Sequence, residues 1–290
     1  EVSTVLGAKN EYGSNQGGVI GSSFNTPCGL TSDGSYLYVA DSNNSTIRRI
    51  KISTQEVETL AGKVGQAGGT DAVGTQALFT RPLGLSTDGT HLYVADEGAS
   101  TLRRIDLSTK AVTTLAGSHA NTGSSDGVGS LARFNQVSAL LVQGDVIYVS
   151  DTANHTIRKV LISTGQVSTL AGSAGSSGST DSSLGASRFN SPKGLYLASA
   201  NELYVADSGN HTIRLLNLTT ETVSTVLGTA GQSGVSGGDV STGLLNSPTS
   251  LLGDGSFLYI IDSANHVLRR FDLGKKNLST FVGKIAVSGA

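Results

Sequence analysis

The sequence has no tryptophan, no methionine, one cysteine and few charges: Asp, Glu, Lys and Arg make up 14% of its 290 residues, against roughly 25% in an ordinary globular chain. Each shortage excludes something. A net charge of −2 gives nucleic acid or an anionic membrane no basic face to hold. No run of about 18 apolar residues exists, so no segment reads as a membrane-inserted helix. A single cysteine, Cys28, cannot form an intrachain disulfide, and it reads as a small buried hydrophobe beside the first strand. Helical periodicity is missing throughout. No glycine loop leads into Lys and a helix, which leaves out a phosphate cradle. The first residue is Glu1 rather than Met, an end that a cleaved secretory signal or an excision would leave.

What is present is repetition. The stretch Asp207-Ser208-Gly209-Asn210-His211-Thr212-Ile213-Arg214 recurs, with drift, from Asp41, Asp96, Asp151 and Asp262, in steps of 55, 55, 56 and 55 residues. Before each copy stands a strand like Leu203-Tyr204-Val205-Ala206. About ten residues after each Arg comes a Thr-Leu-Ala-Gly-like strand, and a sixth copy of that strand, Val2-Ser3-Thr4-Val5-Leu6-Gly7, opens the chain. A fixed period of this size means a solenoid or a propeller. Asp-Gly and Asn-rich turns split each repeat into four antiparallel strands. Strands apolar on both sides need cover on both faces, which blades stacked around an axis provide.

The fold class expected is therefore all-β: a β-propeller of four-stranded antiparallel blades. It forms one domain over residues 1–290, with repeats near 24–62, 79–117, 134–172, 189–228 and 245–283 and an extra N-terminal strand over residues 2–6. Five blades are expected, with a fragment of a six-bladed propeller as the alternative. Between repeats run Gly-rich loops with an Asp ahead of Ala-x-Phe, as from Asp71 to Phe79 and from Asp181 to Phe189. The Phe reads as a plug in the seam between blades.

Asp-x-x-Asn-His-x-Ile-Arg after Tyr-Val-Ala, closed by Thr-Leu-Ala-Gly, resembles the NHL repeat. The match is fullest at Asn154-His155, Asn210-His211 and Asn265-His266, while Asn44-Ser45 and Ala99-Ser100 depart from it. The long Gly/Asp loops resemble those of secreted or surface versions. The resemblance implies a propeller; the family includes RNA-binding and protein-interaction modules, extracellular sensor domains and a few enzymes.

The candidate residues fall into three groups. Asp41, Asp96, Asp151, Asp207 and Asp262, with Arg48, Arg103, Arg158, Arg214 and Arg269, read as a structural motif: each Asp ends a strand and accepts turn N–H groups, and each Arg pairs with it or with a neighbouring blade. Repeat-equivalent residues lie on separate blades and cannot converge on one metal ion, so no metal and no cofactor are expected. Asp33, Asp88 and Asp254 are the carboxylates placed to reach the mouth of a central channel. They would serve a lyase- or lactonase-like propeller enzyme, but no His accompanies them. Asn217 and Asn277 are the better glycosylation sequons if the source is eukaryotic. The expectation is a non-enzymatic binding or structural module, extracellular, on the cell surface or periplasmic. Its partner would be a protein, or a second copy met through a blade edge or a propeller face, with no nucleic acid and no membrane insertion.

Overall fold

The computed structural model describes residues 2–7, 12–17 and 21–284. The first blade is built from β1 (Pro27–Ser32), β2 (Tyr36–Asp41), β3 (Thr46–Lys51) and β4 (Val57–Ala61), and the second from β5 (Pro82–Thr87), β6 (His91–Asp96), β7 (Thr101–Asp106) and β8 (Val112–Gly117). A two-residue strand, β9 (Gly127–Val128), precedes the third blade, made of β10 (Val137–Gln143), β11 (Val146–Asp151), β12 (Thr156–Leu161) and β13 (Gln166–Gly172). Likewise β14 (Ser182–Ser183) precedes β15 (Pro192–Ser199), β16 (Glu202–Asp207), β17 (Thr212–Asn217) and β18 (Thr222–Leu227). Then β19 (Gly238–Asp239) precedes β20 (Pro248–Gly253), β21 (Phe257–Asp262), β22 (Val267–Asp272) and β23 (Asn277–Val282). Consecutive strands pair in order, and the five sheets are the blades of a five-bladed β-propeller. By its contacts the chain divides into two compact units, Glu1–Ile147 with Val160–Ser168, and Tyr148–Lys159 with Thr169–Ala290.

Two turns shape each repeat. At the first hairpin, Asp33 Oδ1 accepts the N–H groups of Ser35 and Tyr36, both at 2.8 Å, and Gly34 takes a φ of 89° that a side chain would resist. At the second, residues 208–210 make one 3₁₀ turn and His211 ends it at φ 61°. Asn, Asp and His tolerate that left-handed region better than branched residues do. Asn210 Nδ2 donates to Asp207 Oδ2 at 2.7 Å and holds the turn shut.

Packing follows the alternation. In the first unit, Tyr38, Ala40 and Leu60 of one blade share a core with Phe79, Leu85, Leu92 and Val94 of the next. In the second unit, Tyr204, Ala206 and Leu227 do the same with Leu245, Leu251 and Leu258. Each buried aliphatic side chain contributes roughly 1.5–3 kcal/mol. Phe79, Phe134 and Phe189 are all 0% exposed. The inner strands approach closely where the repeat has glycine: a Cβ on Gly84 would lie 2.8 Å from Ala139 Cα, and one on Gly194 would lie 2.7 Å from Ser250 Cα.

Three expectations need correction. The blades are not uniformly four-stranded, because the Gly-rich loop before a repeat folds back along the outer edge of that repeat's fourth strand. It forms β9 on β13, β14 on β18 and β19 on β23. In the first two blades it makes single bridges, Gly17 to Val57 and Val73 to Ala111. This added backbone covers an edge that would otherwise invite pairing. Residues 2–6 do not form the expected strand: residues 2–5 have no regular structure, and residues 6 and 7 bend. The edge of β4 is already engaged by Gly17, which exchanges hydrogen bonds with Val57 at 3.3 and 2.8 Å. Only Leu6 is tucked in, against Val39, Ile50 and Val57. Cys28 is exposed rather than buried, as are its β1 neighbours Pro27 and Leu30.

Candidate functional site

The recurring motif assembles into a buried ionic group within each blade. Arg48, Arg103, Arg158, Arg214 and Arg269 donate through Nη1 to Asp41, Asp96, Asp151, Asp207 and Asp262 at 3.0, 3.3, 2.7, 2.9 and 3.3 Å, with both side chains 0% exposed in every pair. The second strand ends at the Asp and the third begins five residues later, so the tight turn brings the two side chains face to face. The other carboxylate oxygen accepts a backbone N–H at the start of the repeat: Asn25 at 2.6 Å, Thr80 at 2.7 Å, Asn190 at 2.7 Å and Asn246 at 2.6 Å. Burial pushes Asp96 up to about 7 and Asp207 up to about 6, in spite of these donors and the Arg. Burial likewise lowers Arg269, against the pull of Asp262. A desolvated pair of this kind holds strands in register more than it adds stability.

Two further partners complete the group. The guanidiniums of Arg48, Arg103 and Arg214 lie over the rings of Phe24, Phe79 and Phe189, at 5.2, 5.0 and 5.2 Å from their centroids. The buried Nε atoms of these arginines have no hydrogen-bond acceptor, so the ring face is what meets that part of the cation. From the Gly-rich loop, Asp71 accepts from Arg103 Nη2 at 2.7 Å and Asp181 from Arg214 Nη2 at 2.5 Å. Sequence reasoning assigned no role to Asp71 or Asp181. The signal was there, since an Asp stands eight residues ahead of Phe79, Phe134 and Phe189.

The three channel-mouth candidates occupy separate hairpins, and each carboxylate is engaged there. Asp33 Oδ2 accepts Tyr38 Oη at 2.7 Å, Asp88 Oδ2 accepts Tyr93 Oη at 3.0 Å, and Asp254 Oδ2 accepts Tyr259 Oη at 3.0 Å. The Oδ1 of Asp88 takes the N–H groups of Thr90 and His91, and that of Asp254 those of Ser256 and Phe257. Burial works to raise Asp33 and Asp88, but these donors outweigh it and hold both low. Backbone donors lower the exposed Asp254. Among the described residues no group of three His, Cys, Asp or Glu side chains is placed to hold a metal ion. Asn217 Oδ1 caps a turn by accepting Thr219 and Thr220 N–H at 3.0 and 2.9 Å. Asn277 stands exposed at the start of β23.

The first blade carries a surface groove of about 460 Å³ lined by Gly17, Tyr36, Arg49, Lys51, Glu56, Val57 and Glu58. Arg49 stacks on Tyr36 at 4.6 Å and donates through Nε to Glu58 at 2.6 Å. Lys110 Nζ lies 3.8 Å from the other Glu58 oxygen. The groove thus offers Tyr36 and Arg49 in a stack, two side-chain types enriched where proteins meet, beside a partly exposed acid, Glu58.

Comparison with known proteins agrees with the repeat. The NHL repeat pattern matches residues 189–214, and an LVIVD repeat pattern matches residues 28–47. NHL repeat-containing protein 2 of Bos taurus is 36% identical over 177 residues, which cover 57% of this chain and 24% of the relative. The matches span about a quarter of the length of this and other curated relatives. Among solved structures, the nidogen/laminin complex superposes with a TM-score of 0.62 at 16% identity, covering 91% of this chain and 82% of the other. An auxiliary nutrient binding protein from Bacteroides ovatus superposes with a TM-score of 0.59 at 17% identity, covering 97% and 76%. These two likenesses establish the fold alone.

Proposed function

We propose that this NHL-repeat β-propeller is a non-enzymatic, extracytoplasmic binding module for a protein partner, with the Tyr36–Arg49–Glu58 groove as a point of contact. One observation carries this reading. The charges that recur in every repeat are consumed inside the blades, in Asp–Arg pairs with 0% side-chain exposure. Recognition is left to residues that differ between repeats. Tyr36 and Glu58 are such residues: His91, Val146, Glu202 and Phe257 stand at the position of Tyr36, and Thr113 stands at that of Glu58. A lyase- or lactonase-like reaction would have to draw on Asp33, Asp88 and Asp254, whose oxygens already accept hydrogen bonds within their own hairpins. The binding-protein neighbour supports the reading only by its fold.

The test is crosslinking to surface and periplasmic fractions, comparing the chain with Tyr36→Ser plus Arg49→Ser and, separately, with Asp33→Asn plus Asp254→Asn. A partner captured by the chain and by the second variant but lost in the first supports the proposal. A hydrolytic or lyase activity that vanishes in the second variant overturns it.

A further inference from the structure

The turn between the third and fourth strands has the same backbone in every blade. Gln55, Lys110, Gly165, Glu221 and Lys276 close it at φ 58, 60, 67, 55 and 55°. Gln55 N–H donates to Lys51 O at 2.7 Å, as Lys110 N–H does to Asp106 O at 2.8 Å. What differs is the side chain that caps the turn. In the second blade Asp106 Oδ1 accepts the Ser108 and Thr109 N–H groups at 2.9 and 2.8 Å, and the Ser108 hydroxyl at 2.6 Å. In the fifth, Asp272 Oδ1 accepts the N–H groups of Gly274 and Lys275 at 3.0 and 2.8 Å. Asn217 caps the fourth in the same way, through Thr219 and Thr220. The third blade has Leu161 at this position, and an acid from the turn between its first and second strands takes over. Asp145 there accepts the Ser163 N–H and hydroxyl at 2.8 and 2.6 Å.

The first blade has neither acceptor. Lys51 stands at the position of Asp106, and Ser35 at that of Asp145. A lysine side chain only donates, so it cannot cap the turn. Among the described residues nothing accepts from the N–H groups of Ser53 and Thr54, and nothing pairs with the Lys51 ammonium. Glu56, the acid closest in sequence, uses Oε2 to accept the Thr54 hydroxyl at 2.9 Å. Lys51 and Ser53 line a groove of about 450 Å³ with Gly34, Ser35, Tyr36 and Ile52, and it shares Tyr36 and Lys51 with the groove described above. Successive backbone N–H groups in a turn make an anion-binding concavity. The chain itself shows which anion fits this one. In the second blade the Ser108 hydroxyl and the turn amides hold Asp106 well below the usual carboxylate range, so the same turn favours an ionised acid.

We infer that the turn of residues 51–55 is a carboxylate site, which takes from a partner protein the acidic side chain that the other acid-capped repeats supply from their own sequence. The inference rests on the reading of this face as a contact for a protein partner, and it adds what the partner presents. An Asp or Glu carboxylate accepts from the Ser53 and Thr54 N–H groups, with the Lys51 ammonium beside it, and apolar residues flanking that acid lie against Tyr36 and Ile52. Hydrogen bonds to an ionised acceptor are about twice as strong as neutral ones, which makes the acid the specific part of the contact.

Amide chemical shifts of Ser53 and Thr54 in the full chain report occupancy directly. The probes are acetyl-Leu-Asp-Leu-amide, its counterpart acetyl-Leu-Asn-Leu-amide and sodium acetate, all at matched ionic strength. The Asp peptide is expected to saturate both shifts at a concentration at least about tenfold below that needed with the Asn peptide or acetate. Lys51→Asp should abolish the response, because the turn then carries its own cap as the second blade does. Asp106→Lys should confer a response on the Ser108 and Thr109 amides. Acetate saturating as readily as the Asp peptide overturns the assignment to a partner side chain, since any free carboxylate then serves. The absence of a saturating shift, an equal response to the two peptides, or a Lys51→Asp chain that still responds overturns the carboxylate site itself. Crosslinking reads the partner separately, so a failure there counts against the proposed function and leaves these shifts to decide the site.

Discussion

Asp181 Oδ1 accepts a hydrogen bond from Arg214 Nη2 at 2.5 Å, across 33 residues of chain. Its other oxygen takes the N–H of Thr225 at 2.9 Å. One loop carboxylate thus ties a glycine-rich segment to the third and fourth strands of the blade it precedes. Asp71 does the same with Arg103 and Thr114. A loop with so much glycine has a large conformational entropy to lose on ordering, and this pin is what offsets part of that loss.

Asp181→Ala should therefore loosen the loop more than it destabilises the blade. Arg214 keeps Asp207, and the Asp181 side chain is 47% exposed, so solvent screens much of the pair. The expected cost is about 1–2 kcal/mol, with faster amide exchange confined to the loop around residues 173–188. Urea melts together with hydrogen exchange check it, and a loop as protected as in the parent would count against the pin.

Asp207→Ala should cost more, about 3–5 kcal/mol, because it leaves Arg214 as a buried charge without its inner partner. Asp207→Ala combined with Arg214→Leu should recover part of that loss. A double-mutant cycle at pH 8, above the raised value of about 6 at which Asp207 titrates, measures the coupling. Additive costs would mean that the pair does not act as a unit.

The repeat period, the strand order and the motif Asp at each strand end were legible because they recur, and recurrence is visible in a linear chain. The Arg partner was legible only as one of two options; whether it faced its own Asp or a neighbouring blade depends on the turn, which residues such as Asn210 and His211 close in three dimensions. The fifth strands were not legible. Gly127-Val128 and Ser182-Ser183 share no apolar pattern, and they pair only because the loop returns to β13 and β18. Residues 2–6 misled for the opposite reason. Their pattern is that of a strand, but a strand also needs an edge, and Gly17 holds the nearest one. For Asp33, Asp88 and Asp254 the Asp-Gly-type turn was legible, but their Tyr38, Tyr93 and Tyr259 donors were not, because each Tyr reaches its Asp only across the hairpin.

Phe189 is fully buried with the Arg214 guanidinium 5.2 Å from its ring centroid. In the fifth blade Leu245 fills the equivalent place, also fully buried. Leucine therefore fits the fold but gives the cation no ring. Phe189→Leu should cost about 1–3 kcal/mol, part of it lost volume and part lost cation–π contact. Repeating the substitution beside Arg214→Leu separates the two: the cation–π share should disappear, and a cost unchanged by removing the arginine would assign all of it to volume.

His155 makes stability depend on pH in a direction that can be worked out. Its Nδ1 accepts the Ser191 N–H at 3.0 Å, which only an imidazole unprotonated at that nitrogen can do. Burial lowers its pKa from the usual 6.5. The folded state therefore resists a proton that the unfolded chain accepts freely. The His155 contribution is fully present above about pH 6.5, falls as the pH drops from there to the lowered folded value, and levels off beneath it. The sequence supplies its own control. Ser100 stands at the same position in the second blade, also at positive φ, and its Oγ accepts the Gln136 N–H at 3.3 Å. His155→Ser should keep the turn and an acceptor that does not titrate. The stability difference between parent and variant, measured by urea melts at pH 8, 6.5 and about 5.5, should then shift against the parent as the pH falls. A difference that stays constant across that range would show that His155 takes no part in the acid response.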